Sequence, residues 1–468
     1  MRKTHEGAVA FEHSLNHALE FFSKAGSQFT KKGSFYSDEE SALSLFQKSW
    51  IVDKALTMRL LLWLRDCRGG AGNRSGAREC VQWLANHDPE WVAVNIGWIP
   101  LVGRWDDLRV LFGTKAEKYA VELWDAAIKE RDVLAAKWAD RDDKPLRKNL
   151  DISVGDFRRL LASIRKEHIV EHLMCQGEWN GINYEHVPSV AMARYTKAFG
   201  RNDADRFSAY KESLKKGEAK VNAGVLFPHD CVRTVLAGDS EIADAQFDAL
   251  PNYMEESDER IISIADTSGS MSTVVAGMIR AIDVSQGLAL YCSAKMSKDN
   301  PFYKKFIGFC SESEFKNWSE MSFSQAVRSR AIFDRAVGTT RVDTALDLIL
   351  KTASFFNITN DQMPTMLLIL SDMQFHNSDG WGGQGCASSH TEIEKALQRW
   401  EAAGYKRPKI VYWNLSAYAG SQDTAGQNNV GMVSGFSPSL LKAILGGEDF
   451  TPVAIMMRAL KKYEITIP

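Results

Sequence analysis

A helical half followed by a doubly wound α/β half is the fold class this sequence predicts. Three observations carry that expectation: the chain's length, a change of periodicity near residue 250, and a carboxylate-and-hydroxyl loop at the end of a buried strand. At 468 residues the chain exceeds what one ordinary core accommodates, so two domains are expected. With 45% hydrophobic and 25% charged residues, its composition is that of a folded globular chain.

Up to about Asp248 the apolar residues recur at helical spacing, as in Ala55, Met58, Leu61, Leu62 and Leu64, or Val121, Leu123, Trp124 and Ile128. Breaks fall at Arg68-Gly69-Gly70-Ala71-Gly72-Asn73, Ile99-Pro100, Gly155 and His186-Val187-Pro188. This is the rhythm of paired helices joined by short turns, as in an α-solenoid, although no sharp internal repeat is present. Residues 1–250 therefore read as a helical domain.

Residues 251–468 read differently. Apolar runs at 261–265, 306–309, 366–370 and 410–413 alternate with helical stretches, the pattern of a doubly wound sheet whose ligands bind at the carboxyl ends of its strands. The first run, Ile261-Ile262-Ser263-Ile264-Ala265, leads directly into Asp266-Thr267-Ser268-Gly269-Ser270. A carboxylate and two hydroxyls on a tight strand-to-helix turn form half an octahedron of hard oxygen donors, suited to Mg²⁺.

Two further loops can supply the other half. Gly338-Thr339-Thr340-Arg341 leads into a helix, and Ser371-Asp372 follows the run 366–370. In this order the three loops resemble the metal-ion-dependent adhesion site of von Willebrand factor type A domains. Carried over by position, the resemblance makes Asp266, Ser268, Ser270, Thr340 and Asp372 the metal set, with Thr339 as the alternative to Thr340. It implies a bound Mg²⁺ or other divalent cation with one open vertex for an acidic side chain or phosphate of a partner. Met373 stands where the family often has glycine. The simpler alternative is a metal-free α/β domain whose hydroxyls cap a helix.

The glycine-rich stretch that begins at Asn377 carries Trp381, a candidate for stacking on a base or a partner side chain; an ordinary connection is the alternative. In the helical half, the stretch from Arg65 to Arg74, the Ile99-Pro100-Leu101-Val102-Gly103-Arg104-Trp105-Asp106-Asp107-Leu108 segment and Val187-Pro188-Ser189 resemble an uncharacterised family found in plants, fungi and phages. Val411-Tyr412-Trp413-Asn414-Leu415 and Val433-Ser434-Gly435-Phe436-Ser437 extend the resemblance into the α/β half. That family is similar in architecture to the Ro autoantigen family, whose TROVE module is a ring of HEAT-like helices closed by a von Willebrand A domain. The resemblance implies binding of small structured or misfolded RNA with single-stranded ends, but transfers no individual RNA-contacting residue.

Charge bounds that expectation. Residues 1–250 hold 36 basic and 36 acidic side chains and the remainder 21 and 23, so an RNA site must be a local patch. Arg65, Arg68, Arg74 and Arg78 around the glycine turn form the first candidate, where backbone N–H groups could also hold phosphate. Arg158, Arg159, Arg165 and Lys166 form a second; Lys211, Lys215, Lys216 and Lys220 read as a solvated helix face. The alternative for the first group is intramolecular pairing.

Enzymatic motifs are weak. His168-Ile169-Val170-Glu171-His172 has the H-x-x-E-H order of inverted zinc peptidases but no distinctive third ligand, and neither a phosphate-binding P-loop nor a nucleophile elbow occurs. A non-enzyme is expected. The seven cysteines are scattered without a C-x-x-C pair, there is no DNA-specific motif, and neither a membrane-spanning run nor an apolar leader after Met1 is present. A cytoplasmic protein is the expectation, binding RNA or presenting its metal to a protein partner's Asp or Glu.

Overall fold

The computed structural model describes residues 2–3, 9–10, 16–26, 41–166, 169–255, 257–276, 279–333, 341–373, 392–415, 429–447 and 450–468. The N-terminal half is helical apart from a two-residue ladder between Arg2–Lys3 and Val9–Ala10. Its helices begin where short polar side chains satisfy the free amides of the first turn. Asn16 caps α1 (His17–Ala25), Asp53 caps α2 (Lys54–Arg65) and Asn73 caps α3 (Arg74–His87). The helix α4 (Pro228–Leu236) opens with proline, whose missing N–H costs nothing in a first turn.

The C-terminal half is built on one six-stranded sheet. Its strands are β1 (Ile261–Asp266), β2 (Lys305–Phe309), β3 (Ser313–Asn317), β4 (Met366–Ser371), β5 (Lys409–Asn414) and β6 (Val430–Ser434). The spatial order is β6-β5-β4-β1-β2-β3, parallel throughout except for the antiparallel edge strand β3. The helix α5 (Ala281–Lys295) connects β1 to β2, α6 (Asp343–Phe355) precedes β4, and α7 (Glu392–Ala402) lies between β4 and β5. After β6 come α8 (Leu440–Leu445) and α9 (Pro452–Leu460).

Both faces of the central strands are covered, which explains their unbroken apolar runs. Ile262, Ile264, Leu367 and Ile369 face one side and pack with α6 and α7. Ile261, Ala265, Leu368 and Leu370 face the other side, in a cluster that contains α5 and continues into Phe22 and Trp63 of the helical half. Side chains alternate across a strand, so neighbours in sequence feed different layers.

The edge strands β3 and β6 escape the apolar-run criterion. In β3 (Ser-Glu-Phe-Lys-Asn) only Lys316 is buried, while β6 carries Gly431 at its second position and is covered by α1 and α9. Helix α1, near the start of the chain, thus packs on the last strand. Gly26 donates its amide to Ser434 Oγ at 3.0 Å, and that hydroxyl donates to the Phe22 carbonyl at 3.0 Å. A separate small cluster around Tyr184, Phe199 and Phe207 closes the helices between residues 170 and 245.

A candidate metal site at the sheet's carboxyl edge

The strand order reverses between β1 and β4: the chain leaves β1 toward β2 on one side and leaves β4 toward β5 on the other. A crevice opens at such a point, outside the carboxyl ends of the two strands. Asp266 ends β1, and the register places Ala265 beside Leu370, so Asp266 and Ser371 close the paired strands together, with Asp372 next in the chain.

Hydrogen bonds fold the first loop into a cup. Asp266 Oδ1 accepts from the Ser268 amide at 2.9 Å, and Asp266 Oδ2 accepts from Ser371 Oγ at 2.5 Å. Thr267 donates both its amide and its hydroxyl to the Phe309 carbonyl, at 2.9 and 3.0 Å, stitching the loop to β2. The Ser268 and Ser270 hydroxyl oxygens lie 3.1 Å apart. Adjacent ligands of an octahedral Mg²⁺ with bonds of 2.0–2.1 Å stand about 2.9 Å apart, so the two hydroxyls are spaced to share an ion.

Asp266, Ser268 and Asp372 are buried, whereas Ser270 is half-exposed at the mouth. Burial pushes the Asp266 carboxyl up to about 6, against the hydrogen bonds from Ser268 and Ser371. Among the described residues no basic side chain forms an ion pair with Asp266. The chemistry of this donor set fits a hard divalent cation: oxygen donors only, and a buried carboxylate whose charge lacks a basic side chain to balance it. Among the described residues no cluster of three or more His, Cys, Asp or Glu side chains could hold a metal, and the expected set contains only two such groups, the other donors being hydroxyls.

Thr340 and its alternative Thr339 lie outside the described residues, as do Trp381 and His168. Their neighbours are placed. Arg341 donates its amide to the Cys310 carbonyl at 3.1 Å, just past the end of β2, and its guanidinium pairs with Asp343 at 2.7 Å. Met373 takes the left-handed conformation with φ of 64°, the region glycine favours, while its buried side chain packs in the layer of α6 and α7. That apolar anchorage lets methionine occupy a position where the resembled family often has glycine. Thr267 and Ser371 were not singled out from sequence; a hydroxyl directly before Asp372 at a strand end was the signal available for Ser371.

The arginines around the glycine turn behave as the intramolecular alternative describes. Arg65 is buried and pairs with Asp107 at 2.6 Å; Arg78 reaches Asp107 at 2.6 Å and Asp106 at 3.0 Å; Arg74 bonds Asp106 and lies 3.3 Å from Asp107. Burial would raise the Asp107 carboxyl, but Arg65 and Arg78 hold it below its ordinary value. Five of the turn's amides are also taken: Arg68 and Gly69 donate to Asp66 Oδ1, Gly70 to the Asp66 carbonyl, Ala71 to Trp63 and Asn73 to Leu64. The expected phosphate cradle of backbone N–H groups is therefore filled from within at every one of these five positions. Arg68 alone of the four is exposed, bonding the Leu101 carbonyl at 3.1 Å.

In the second group, Arg165 is spent on the carbonyls of Ala136 and Ala139, whereas Arg158, Arg159 and Lys166 are exposed, Arg159 pairing with Asp156 at 2.6 Å. Lys211 and Lys215 pair with Glu241, at 3.1 and 2.9 Å. Of the H-x-x-E-H motif, Glu171 receives Lys137 at 3.0 Å, a structural ion pair. Among the described residues no helix is long and apolar enough to cross a membrane.

Comparison with known proteins divides the chain at the sheet. Residues 4–109 and 144–267 match a domain of unknown function, DUF2828, and residues 260–463 match a second, DUF7788. An uncharacterized protein of Acanthamoeba polyphaga mimivirus is 24% identical over 526 aligned positions, which take in 98% of this chain and 87% of the viral protein.

Proposed function

We propose, for a chain that joins a DUF2828 domain to a DUF7788 domain, that it is a binding protein whose α/β half holds a divalent cation and uses it to capture an acidic group of a partner. The observation that carries this reading is the joining of Asp266 to Ser268 and Ser371 at the point where the strand order reverses, with Ser270 beside Ser268 and Asp372 next in the chain after Ser371. A von Willebrand A-like assignment for this half is supported by the strand order and by the single antiparallel edge strand. The helical half is then a HEAT-like scaffold.

In this reading Asp266, Ser268, Ser270, Thr340 and Asp372 hold Mg²⁺, which supplies an electrophilic vertex for a carboxylate or phosphate oxygen. Ser371 and the Ser268 amide orient Asp266, and Thr267 fixes the loop to β2. Ser268 and Ser270 serve as ligands, so the site holds a group and performs no bond chemistry.

Thermal unfolding with and without millimolar Mg²⁺ tests the metal: the wild type should gain several degrees and Asp266→Ala none. An equal gain in both would refute the ligand assignment. The same titration with an added acidic peptide or inorganic phosphate should show Mg²⁺-dependent binding, lost in Ser268→Ala.

A second reading, RNA held by the helical half as the Ro resemblance implies, is favoured by the exposure of Arg158, Arg159 and Lys166 and of Arg68. Purification with and without nuclease tests it: co-purifying RNA is expected, and its absence together with salt-insensitive binding would remove this reading.

A further inference from the structure

The turn after α2 meets the C-terminal helices across a cleft of about 610 Å³. Its walls carry Arg68, Lys442, Arg458, Lys461 and Lys462, together with Tyr253, and no carboxylate lines it among the described residues. The cations come from separate parts of the fold. Arg68 follows α2, Lys442 stands on α8, Arg458 is on α9, and Lys461 and Lys462 follow α9.

Their placement is built. Lys462 Nζ reaches the buried Asp66 Oδ2 at 2.5 Å, and the Tyr463 hydroxyl donates to the same oxygen at 2.9 Å. A Cβ on Gly69 would stand 2.0 Å from Lys462 Nζ, so the bare glycine leaves room for that ammonium against the turn. Lys442 lies over the Tyr253 ring at 5.1 Å, and Arg458 Nε donates to the Ala443 carbonyl at 2.8 Å. Asp66, behind the wall, already accepts from Arg68 N, Gly69 N, Lys462 and Tyr463. Asp66 engages Lys462, whereas Arg68, Lys442 and Lys461 are exposed, so the concave surface presents cations from three parts of the chain.

A cation-lined concavity of this size suits a ligand with several negative charges better than a single carboxylate, and its concave shape does not match a flat lipid surface. Phosphate groups spaced along a chain can meet Arg68, Lys442 and Lys461 at once. An exposed cation–π contact is weak, so a phosphate can draw Lys442 away and leave the ring face open to a base.

We infer that this cleft binds a run of phosphate groups, either the backbone of single-stranded RNA or an oligophosphate. The site is independent of the metal reading, since neither Asp266 nor Asp372 lines it. It also moves the basic locus from Arg65, Arg74 and Arg78, which are spent on Asp106 and Asp107, to the seam where Arg68 meets the C-terminal lysines.

The test is fluorescence anisotropy of a labelled single-stranded RNA decamer across a salt series, repeated with tripolyphosphate as competitor. The exposed double variant Lys442→Glu/Lys461→Glu should weaken binding at least about tenfold and flatten the salt slope by about one to two units. The control Lys216→Glu, on a different exposed helix end, should change neither. Competition by tripolyphosphate at matched phosphate concentration assigns the site to oligophosphate; RNA binding that resists it assigns the site to an extended backbone. Wild-type binding to neither probe, or equal binding by the double variant, overturns the proposal, as does equally tight binding of polyglutamate. Retention of binding by Asp266→Ala keeps this result separate from that of the metal site.

Discussion

Asp266 shows how one residue can be legible in sequence while its energetics are not. The D-x-S-x-S order names the candidate oxygen donors, but the Ser371 hydroxyl and complete burial are products of the strand pairing. A carboxyl pushed up to about 6 by burial costs the apo fold on the order of 3 kcal/mol when it must ionise at neutral pH. Asp266→Asn should therefore raise apo stability in urea by about 1–3 kcal/mol, because the side-chain shape is kept, the charge is removed and the new amide can donate to Ser371 Oγ in place of the bond it loses. The same variant should lose its response to Mg²⁺. A variant less stable than wild type without metal would show that hydrogen bonding, not charge, dominates this position. The arginines make the converse point. A cluster of four was visible in the sequence, but Asp106 and Asp107 lie about thirty residues away, and only the fold decides that they neutralise three of the four.

At the scale of elements, β1, β2, β4 and β5 were readable because strands buried on both faces are apolar at every position. The edge strands were not, since an edge needs fewer apolar residues and β6 is completed by α1 from the far end of the sequence. The helix α5 is legible as a helix, but its role in joining the halves is not. It packs against α4, where Gly287 comes so close that an added Cβ would lie 3.0 Å from the His229 amide and 3.2 Å from the Pro228 carbonyl carbon. Gly287→Ala must push two backbones apart. It should cost about 1–3 kcal/mol in urea unfolding, despite alanine's higher helix propensity. A gain in stability would show that α4 moves away freely and that the contact is not tight.

For the whole molecule, the decisive feature is that the two halves share an interior. Tyr463 and Lys462 bond Asp66, Arg59 donates to the Leu460 and Tyr463 carbonyls, and Asn95 bonds Thr466. His229, fully buried in the same seam, lies 5.5 Å from Phe227 and 5.6 Å from Phe436, ring to ring. Burial pushes its imidazole below the ordinary value of 6.5. The unfolded chain then takes up a proton near pH 6.5 while the folded one does not. The stability is complete above that pH and is lost as pH falls toward the depressed folded value. His229→Leu should flatten the pH dependence of the unfolding free energy between pH 7 and 5, by up to about 1.4 kcal/mol for each unit of depression. An unchanged profile would place the acid sensitivity elsewhere. By itself the sequence determined the helical half, the central strands and the candidate donor types, because periodicity, capping and ligand chemistry are local properties. Which carboxylate meets which cation, which strand α1 completes, and where positive charge remains unspent were decided only by tertiary structure, because each depends on groups brought together from distant parts of the chain.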